Sequence, residues 1–392
     1  MFLLLNFAGA ACDKEVINRT RTNPEKKARN WEGSPFIAWE SQGFKYNIFP
    51  KFIFRNSILI FQGIYNRGKV FNPEKAVLFA STAGRMRWRK ALRPVMSSKY
   101  HPYTTKSEFF VKRNGKKLKI ALISWVLGNL FRGQNMKTGE DIWNLPNCSH
   151  LVKTGKELWG ICFGTLKKLD PFTGKILEEK KFAVKPLKIL GLPEDLVLLD
   201  KKGNLQFYQI KTEKLYTFPK EEKLYHIAVS KEKNYIYTVS KGDFGYFLKM
   251  YHYHDNEISL KWKTSLSILT DFFWIFETEN IVILPAGFDC ITARNLKDGK
   301  EAWTSCGVFT ENPPAYDENG LYVLSSRVKK NEHPLLFLDA FNGLQTPIFR
   351  NEGKEDTYTY RAVFLTPGKA KKGLIYGVHK NSKIFALRVA EK

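Results

Sequence analysis

The sequence repeats one short phrase, and this repeat constrains the fold more than any other feature. Residues 295–303 read N-L-K-D-G-K-E-A-W, and residues 135–143 read N-M-K-T-G-E-D-I-W. Related phrases occupy 169–177 and 338–346, and looser ones occupy 80–88, 209–216 and 253–262. Their turn residues are Gly84, Gly139, Gly174, Glu213, Asn256, Gly299 and Gly343, at spacings of 55, 35, 39, 43, 43 and 44 residues. Such a period is typical of repeat architectures.

Each phrase has the pattern of a β-hairpin. An apolar run comes first, then a polar turn with Gly or Asn, then a second short run that often ends in Trp. Another pair of strand-like runs precedes each phrase, so one period holds four short strands, which is one propeller blade. No segment shows sustained helical periodicity. We therefore predict an all-β fold, a single β-propeller of four-stranded antiparallel blades.

The C-terminal region indicates how the ring closes. Residues 373–379 and 383–389 have the pattern of the second and third strands of a blade. We expect an N-terminal strand around residues 28–33, with Trp31 in the Trp position, to complete this blade and leave no open edge. Seven internal turns plus this composite blade give eight blades. Seven is the alternative, because the first spacing is long and the fourth copy is weak.

Composition agrees with a packed β protein that is attractive to anions. Of the 392 residues, 43% are hydrophobic and 14% aromatic, which argues against disorder. The 30 Phe and 17 Tyr favour strands. The formal net charge is +25, which predicts attraction to an anionic membrane surface or to an acidic partner. A solvated, lysine-rich surface is the simpler explanation of the same charge.

The N-terminal segment, M-F-L-L-L-N-F-A-G-A-A-C, is apolar and ends in small residues before Cys12. It resembles the end of a bacterial lipoprotein signal, in which such a cysteine is lipidated, although the usual basic start is missing. The alternatives are a buried strand or a start codon that lies upstream. We divide the chain into a signal-like segment (1–12), a tether (13–27) and a propeller domain (28–392), located in the bacterial envelope, lipid-anchored or periplasmic. Without a true signal it would be cytoplasmic.

Four further cysteines form two symmetric pairs. Cys290 and Cys306 lie at equal distances from Asp298 in a hairpin turn, and Cys148 and Cys162 lie at equal distances from Gly155. Equal offsets place the partners opposite each other on neighbouring strands, where an exported protein could form disulfides. The alternative is four buried free thiols.

His252 and His254 are the only metal candidates that the pattern suggests. Their spacing puts both on one face of a strand, but two ligands without a third are a weak metal site. We expect no metal.

The phrase A-R-N-L-K-D-G-K-E-A-W at 293–303 resembles the repeat of the quinoprotein-like (PQQ-like) β-propellers, as do parts of 166–177 and 383–392. This resemblance, from about residue 28 onward, implies that the glycines turn the hairpins and that the tryptophans pack between blades. The tryptophans concerned are Trp88, Trp143, Trp262 and Trp303. A propeller behind a lipoprotein-like signal is closest in type to the propeller lipoproteins of the outer-membrane β-barrel assembly machinery.

Quinoprotein enzymes of this family typically have adjacent cysteines beneath pyrroloquinoline quinone, and this chain has no Cys-Cys pair. We therefore expect no cofactor and no catalytic residues. The predicted function is a non-enzymatic scaffold that binds envelope proteins, in outer-membrane protein assembly or envelope maintenance. The alternative is a quinoprotein-like or other small-molecule-binding propeller enzyme. R-M-R-W-R-K at 85–90 mixes basic and aromatic residues as nucleic-acid binders do, but export argues against a nucleic-acid partner.

Overall fold

A computed structural model describes the chain from residue 36 to residue 389, with gaps. Between residues 36 and 137 it describes strand backbones and only a few side chains. The segments 1–12 and 13–27, with Cys12, lie outside the described residues. Among the residues that are described, no helix is long and apolar enough to span a membrane. The gaps are 41–46, 55–56, 67–69, 81–84, 92–102, 114–115, 128–129, 136–137, 156, 220–222, 231–232, 244, 255–256, 267–272, 288, 311–312, 328–332, 352–356, 360, 363, 367, 371–372 and 380–382.

The described residues form eight blades, each with four antiparallel strands that we name A to D in hydrogen-bonding order. Two further short strands extend the sheet of the seventh blade, and a separate two-stranded sheet lies between the seventh and eighth blades. The first four blades follow each other along the chain. Blade 1 is β2 (Asn47–Phe54), β3 (Ser57–Asn66), β4 (Val70–Ala80) and β5 (Met86–Ala91); blade 2 is β6 (Tyr103–Arg113), β7 (Lys116–Leu127), β8 (Leu130–Asn135) and β9 (Asp141–Pro146). Blade 3 is β10 (Cys148–Thr154), β11 (Glu157–Cys162), β12 (Thr165–Leu169) and β13 (Ile176–Lys180); blade 4 is β14 (Pro186–Gly191), β15 (Leu196–Asp200), β16 (Leu205–Gln209) and β17 (Lys214–Thr217).

The second half continues the same order and ends in a composite blade. Blade 5 is β18 (Lys223–Val229), β19 (Tyr235–Gly242), β20 (Gly245–His254) and β21 (Glu257–Leu266); blade 6 is β22 (Phe276–Glu277), β23 (Ile281–Pro285), β24 (Cys290–Asn295) and β25 (Glu301–Cys306). Blade 7 is β26 (Ala315–Tyr316), β27 (Gly320–Leu324), β28 (His333–Asp339) and β29 (Gln345–Pro347); blade 8 is β33 (Phe364–Leu365), β35 (Leu374–Val378), β36 (Ile384–Arg388) and, as strand D, β1 (Phe36–Glu40). Between blades 7 and 8 lie β30 (Phe349–Asn351), β31 (Thr357–Thr359) and β32 (Arg361–Ala362), and β34 (Gly368–Lys369) follows β33.

These sheets confirm the predicted all-β propeller with eight blades, closed by an N-terminal strand. The closing strand itself differs from the expected one. It is Phe36–Glu40, not 28–33, and residues 28–33 with Trp31 lie outside the described residues. Trp39 pairs with Ala386 directly beside a β-bulge. In blade 6, Trp303 pairs with Ala293 beside a β-bulge in the same way. The apolar run F-I-A-W supplies both the strand and the Trp, whereas 28–33 contains only two separate apolar residues, Ala28 and Trp31, and ends in Gly.

The core lies between the blades. Trp159 and Ile161 of blade 3 pack with Ile189 and Leu196 of blade 4, and similar clusters join each later pair of blades up to blade 8. Strand β2 of blade 1 in turn contacts β33 and β35 of blade 8. Because each blade buries its two faces against its neighbours, the ring and its core are one unit.

Candidate functional site

The two ends of the ring carry different connections. Strands A and C of a blade run one way and strands B and D the other, so the A–B and C–D turns share one face, which we call the turn face. The B–C turns and the D–A segments share the opposite face, which we call the connector face. In blades 3–5 the described connector face comprises 163–164, 181–185, 201–204, 218–219 and 243.

Three repeat tryptophans join neighbouring blades at the C–D turns. Trp143, Trp262 and Trp303 are 6%, 6% and 4% exposed. Each indole N–H donates to a carbonyl oxygen in the C–D turn of the next blade: Trp143 to Pro171 at 2.9 Å, Trp262 to Leu296 at 2.9 Å and Trp303 to Ala340 at 3.1 Å. A buried, hydrogen-bonded indole of this kind holds adjacent blades together.

The turn residues of the repeat share one backbone conformation. φ is positive at Gly139, Gly174, Glu213, Gly299 and Gly343, with values of 77°, 69°, 57°, 69° and 71°. A Cβ built on Gly174, Gly299 or Gly343 would lie within 2.7 Å of the tryptophan from the preceding blade. These glycines are therefore required by backbone conformation and by the indole together.

Several predicted positions lie outside this description. Gly84 and Asn256 fall in gaps, and only the backbone of Trp88, in β5, is described. Cys12 precedes the first described residue.

The histidine pair lies on β20, as the spacing predicts. The His252 and His254 rings stack, with their centroids 5.7 Å apart. The His252 ring also packs edge-to-face against the Tyr235 ring, and those two centroids are 5.0 Å apart. Burial, then the charges of Lys261 and His254, lowers the pKa of His252. No group of three potential ligands occurs among the described residues, so this pair has no third ligand there.

The structure brings both cysteine pairs together as disulfides. The Sγ atoms of Cys148 and Cys162 are 2.07 Å apart, and those of Cys290 and Cys306 are 2.11 Å apart. Each bridge joins directly paired residues at the connector-face end of two neighbouring strands. The first links strands A and B of blade 3, and the second links strands C and D of blade 6.

The connector face of blades 4 and 5 concentrates lysines that have no carboxylate partner among the described residues. Lys185 and Lys201 flank the Pro186–Asp200 pair, and Lys223 and Lys241 are themselves paired residues of β18 and β19. The nearby Asp200 carboxylate accepts hydrogen bonds within its own turn, from the backbone of Lys202 and Asn204. We call the following set the basic sector: Lys185, Lys188, Lys201, Lys202, Lys223 and Lys241. None of them lies within 4.0 Å of a carboxylate oxygen in the part of the chain that the structure describes.

This arrangement carries an electrostatic cost. Like charges directly opposite each other on paired strands repel, as Lys223 and Lys241 do. On the inner strands, burial lowers the pKa of Lys188. The neighbouring His150 has its pKa lowered to about 4, by burial first and by the charge of Lys188 second. The basic sector therefore concentrates positive charge that an anion would stabilise.

Apolar groups lie beside these lysines. Phe163, in the B–C turn of blade 3, is 59% exposed, and Leu187, in the bulge at the start of β14, is 50% exposed. Beside Leu187 is a cleft of about 230 Å³ whose lining also includes Asn147, Gly164 and Lys201, and Gly164 is the residue next to Phe163. The site thus combines an apolar centre with a cationic border, which suits an anionic group that carries an apolar portion.

Sequence reasoning did not find this site. The lysines are separated along the chain, and strand pairing brings Lys185 next to Lys201 and Lys223 opposite Lys241, with a β-bulge in β14 and in β18 setting each register. The sequence predicted the excess of charge but not where it gathers. The Phe163-Gly164 pair does not mark the site in the sequence either, because it lies in an apolar stretch that has the pattern of a continuing strand.

Comparisons with known proteins support the fold. No family model matches the chain, and no curated protein matches its sequence. BamB from Moraxella catarrhalis is similar in structure, with a TM-score of 0.55 and 11% identity, over 90% of this chain and 99% of that one. The computationally designed protein Ika8 gives a TM-score of 0.56 at 12% identity, over 91% and 100% of the two chains. The dihydro-heme d1 dehydrogenase NirN gives 0.52 at 12% identity, over 81% and 71%.

At these identities the neighbours establish the architecture, an eight-sheet β-propeller, and leave function to the residues of this chain.

Proposed function

We propose that this protein is a non-enzymatic interaction scaffold of the bacterial cell envelope and that it binds an acidic segment of a partner protein at the basic sector. The observation that carries the proposal is the group of six lysines on the connector face that have no carboxylate partner among the described residues, of which Lys201 lines the cleft and Lys185 lies at its Gly164 edge. Unpaired like charges destabilise a fold, so their retention on one sector favours a role in binding.

The structural neighbours bear on the finer role. Similarity to BamB supports a place in the envelope, and the resemblance of the repeats to PQQ-like propellers is consistent with it. We propose that the chain acts in assembly of outer-membrane proteins or in maintenance of the envelope. An anionic membrane surface beside the same lysines would add to the attraction for partners.

The envelope location depends on Cys12. We propose that Cys12 is lipidated, which anchors the propeller to a membrane. Labelling cells with radioactive palmitate should mark the wild-type protein and leave Cys12→Ala unmarked and released from the membrane fraction. Equal, unlabelled, cytoplasmic behaviour of both proteins would reject the envelope location.

The binding role has its own test. In cells treated with a cross-linker, the wild-type protein should form specific adducts with envelope proteins. These adducts should be lost in the Lys185→Glu/Lys201→Glu/Lys223→Glu variant. A matched control, Lys211→Glu/Lys297→Glu/Lys300→Glu, makes the same change in charge at exposed positions on the turn face and should keep the adducts. Identical adducts from all three proteins would refute binding at the basic sector.

A propeller enzyme is the second candidate, and the similarity to NirN is the observation that favours it. Such an enzyme would carry a small molecule in stoichiometric amount. An absorption spectrum of the purified full-length protein with a cofactor band above 300 nm, together with intact envelope adducts of the lysine variant, would favour the enzyme over the scaffold.

A further inference from the structure

The B–C turn of blade 3 is unusual because it places a phenylalanine where a small residue is favoured. Phe163 and Gly164 are the two central residues of the turn between β11 and β12, and their φ angles are 55° and 76°. Two positive φ angles in a two-residue hairpin define the turn that prefers Asn-Gly or Asp-Gly. A bulky side chain with positive φ is an outlier that usually has a specific reason.

The surrounding structure holds this conformation firmly. The backbone N–H of Phe163 donates to the carbonyl oxygen of Asn147 at 2.9 Å, and Asn147 also has a positive φ of 58°. Immediately inside this hydrogen bond, the Cys148–Cys162 disulfide ties the same two strands. The Thr165 hydroxyl closes the turn by donating to the carbonyl oxygen of Cys162 at 2.9 Å.

The ring of Phe163 is fixed in place and yet open to solvent. The Lys167 ammonium lies 5.4 Å from the ring centroid, and Lys167 is 7% exposed and paired with Glu179 at 3.2 Å. One side of the ring thus rests on a buried cation, while the residue as a whole is 59% exposed. Asparagine would relax the turn and improve solubility, so neither folding nor solubility accounts for phenylalanine here.

The neighbours of Phe163 define what it would contact. The stem of Lys185 lies against the turn, 3.2 Å from where a Cβ on Gly164 would be. The cleft of about 230 Å³ begins beside the turn, and Leu187 and Lys201 form its other side. An occupant of the cleft would therefore contact Leu187 and lie next to lysine ammonium groups, and at the Gly164 edge it would come next to Phe163.

We propose that Phe163 is an apolar contact residue beside the basic sector and that it contacts an acidic peptide segment that also places an apolar side chain in the cleft at Leu187, with its carboxylates facing Lys185 and Lys201. This rests on the proposed function and names the residue and the ligand chemistry on which recognition depends. A peptide fits better than a membrane surface because the apolar cleft is small enough for about one side chain and is confined to one sector of the ring. The Cys148–Cys162 disulfide serves to present Phe163.

The test uses the full-length oxidised protein and a fluorescein-labelled peptide, acetyl-EDLFDE, followed by fluorescence anisotropy. The wild-type protein should bind it saturably, and Phe163→Asn should weaken binding at least tenfold while remaining folded by circular dichroism. With acetyl-EDSSDE, which keeps the charges and lacks the apolar side chains, the two proteins should bind equally weakly.

The other outcomes distinguish an error about the role of Phe163 from an error about the acidic partner itself. If Phe163→Asn binds acetyl-EDLFDE as the wild type does, the role of Phe163 is wrong while binding at the lysines stands. If the wild type binds neither peptide, the proposed acidic partner is wrong as well. Binding of phosphatidylglycerol vesicles or of a single-stranded 12-mer DNA that depends on Phe163, without peptide binding, would reassign the site to lipid or nucleic acid and overturn the proposal.

The second disulfide supplies a matched control for presentation by the first. Cys148→Ala/Cys162→Ala should weaken binding of acetyl-EDLFDE at least threefold, whereas Cys290→Ala/Cys306→Ala should leave it unchanged, because that bridge lies in blade 6. Equal affinities of the two variants would show that Phe163 does not depend on the disulfide beside it.

Discussion

On the turn face, the repeat places groups that satisfy one another within the chain. A tryptophan from one blade donates to a carbonyl oxygen of the next and lies on a glycine there. Two lysines near C–D turns pair with carboxylates there, Lys180 with Glu213 at 2.7 Å and Lys300 with Asp298 at 3.5 Å. On the connector face of the same blades, the lysines of the basic sector have no such partners among the described residues, and Phe163 occupies a disfavoured conformation.

This difference suggests a division of labour between the faces. The turn face carries the interactions that hold blade to blade, and changes there should act on stability. The connector face of blades 3–5 keeps features that do not stabilise the ring, and changes there should act on binding with little or favourable effect on stability. Each prediction below tests one side of that contrast.

The largest effect is expected from Trp303→Ala. It removes a side chain that is 4% exposed and leaves the carbonyl oxygen of Ala340 without its donor. Loss of a buried tryptophan should lower the free energy of unfolding by about 3–5 kcal/mol. Urea unfolding followed by fluorescence measures it. Leu187→Ala, at a 50% exposed position of the connector face, is the control and should cost less than about 1 kcal/mol. Similar losses in both would contradict the division.

Two glycines with similar φ angles distinguish the effect of the neighbouring indole on stability from the effect of backbone conformation. Gly299 has φ 69° and a would-be Cβ 2.7 Å from Trp262, whereas Gly203, in the B–C turn of blade 4, has φ 83° and nothing within 4 Å. Gly299→Ala should cost about 3 kcal/mol, because both strain and collision act. Gly203→Ala should cost about 1 kcal/mol, from backbone strain alone. Thermal or urea unfolding of the two variants measures the difference. Equal losses of unfolding free energy would mean that the indole moves aside at no energetic cost.

Acidification should weaken the fold through His150. Its pKa in the folded protein is about 4, below the usual 6.5, so between these values the unfolded chain binds a proton that the folded protein does not. Stability should therefore fall as pH drops from about 6.5 to 4, by about 2 kcal/mol for a group that is not fully buried. Unfolding free energies measured across this range in wild type and His150→Gln should differ in slope. His254→Gln, at an exposed position of blade 5, is the control and should keep the wild-type slope.

Much of the propeller could be predicted because a short sequence pattern specifies each blade. A residue with positive φ closes each described C–D turn, and glycine or a turn-forming polar residue marks that position in the sequence; even Glu213, the weakest copy, has φ 57°. The count of turns therefore gave the number of blades. The closing strand was misplaced because Trp31 matched the motif by residue type alone, while the strand at Phe36–Glu40 also needs a run of apolar residues around a bulge.

The basic sector could not be predicted from the same rules. Lys185 and Lys201 lie next to each other through the pairing of β14 with β15, and a bulge at Leu187 shifts that pairing by one residue. Nothing in the sequence marks the bulge. The contribution of Phe163 is visible only when its φ angle and exposure are known together, because a Phe-Gly pair in an apolar stretch has the pattern of a continuing strand.

The smallest expected change in stability is also the one that distinguishes the faces most directly. Phe163→Asn replaces a bulky residue by one that accepts positive φ, and it removes an exposed ring, so the free energy of unfolding should rise by about 1 kcal/mol. A shift of the urea midpoint to higher concentration, with an unchanged slope, would measure this gain. A substitution that stabilises the ring while weakening peptide binding is expected only where strain is retained for recognition. Phe163→Asn could instead destabilise the protein. The contact of the Phe163 ring with Lys167 would then stabilise the fold by more than the strained turn destabilises it, and Phe163 would have a structural role like that of the turn-face aromatics.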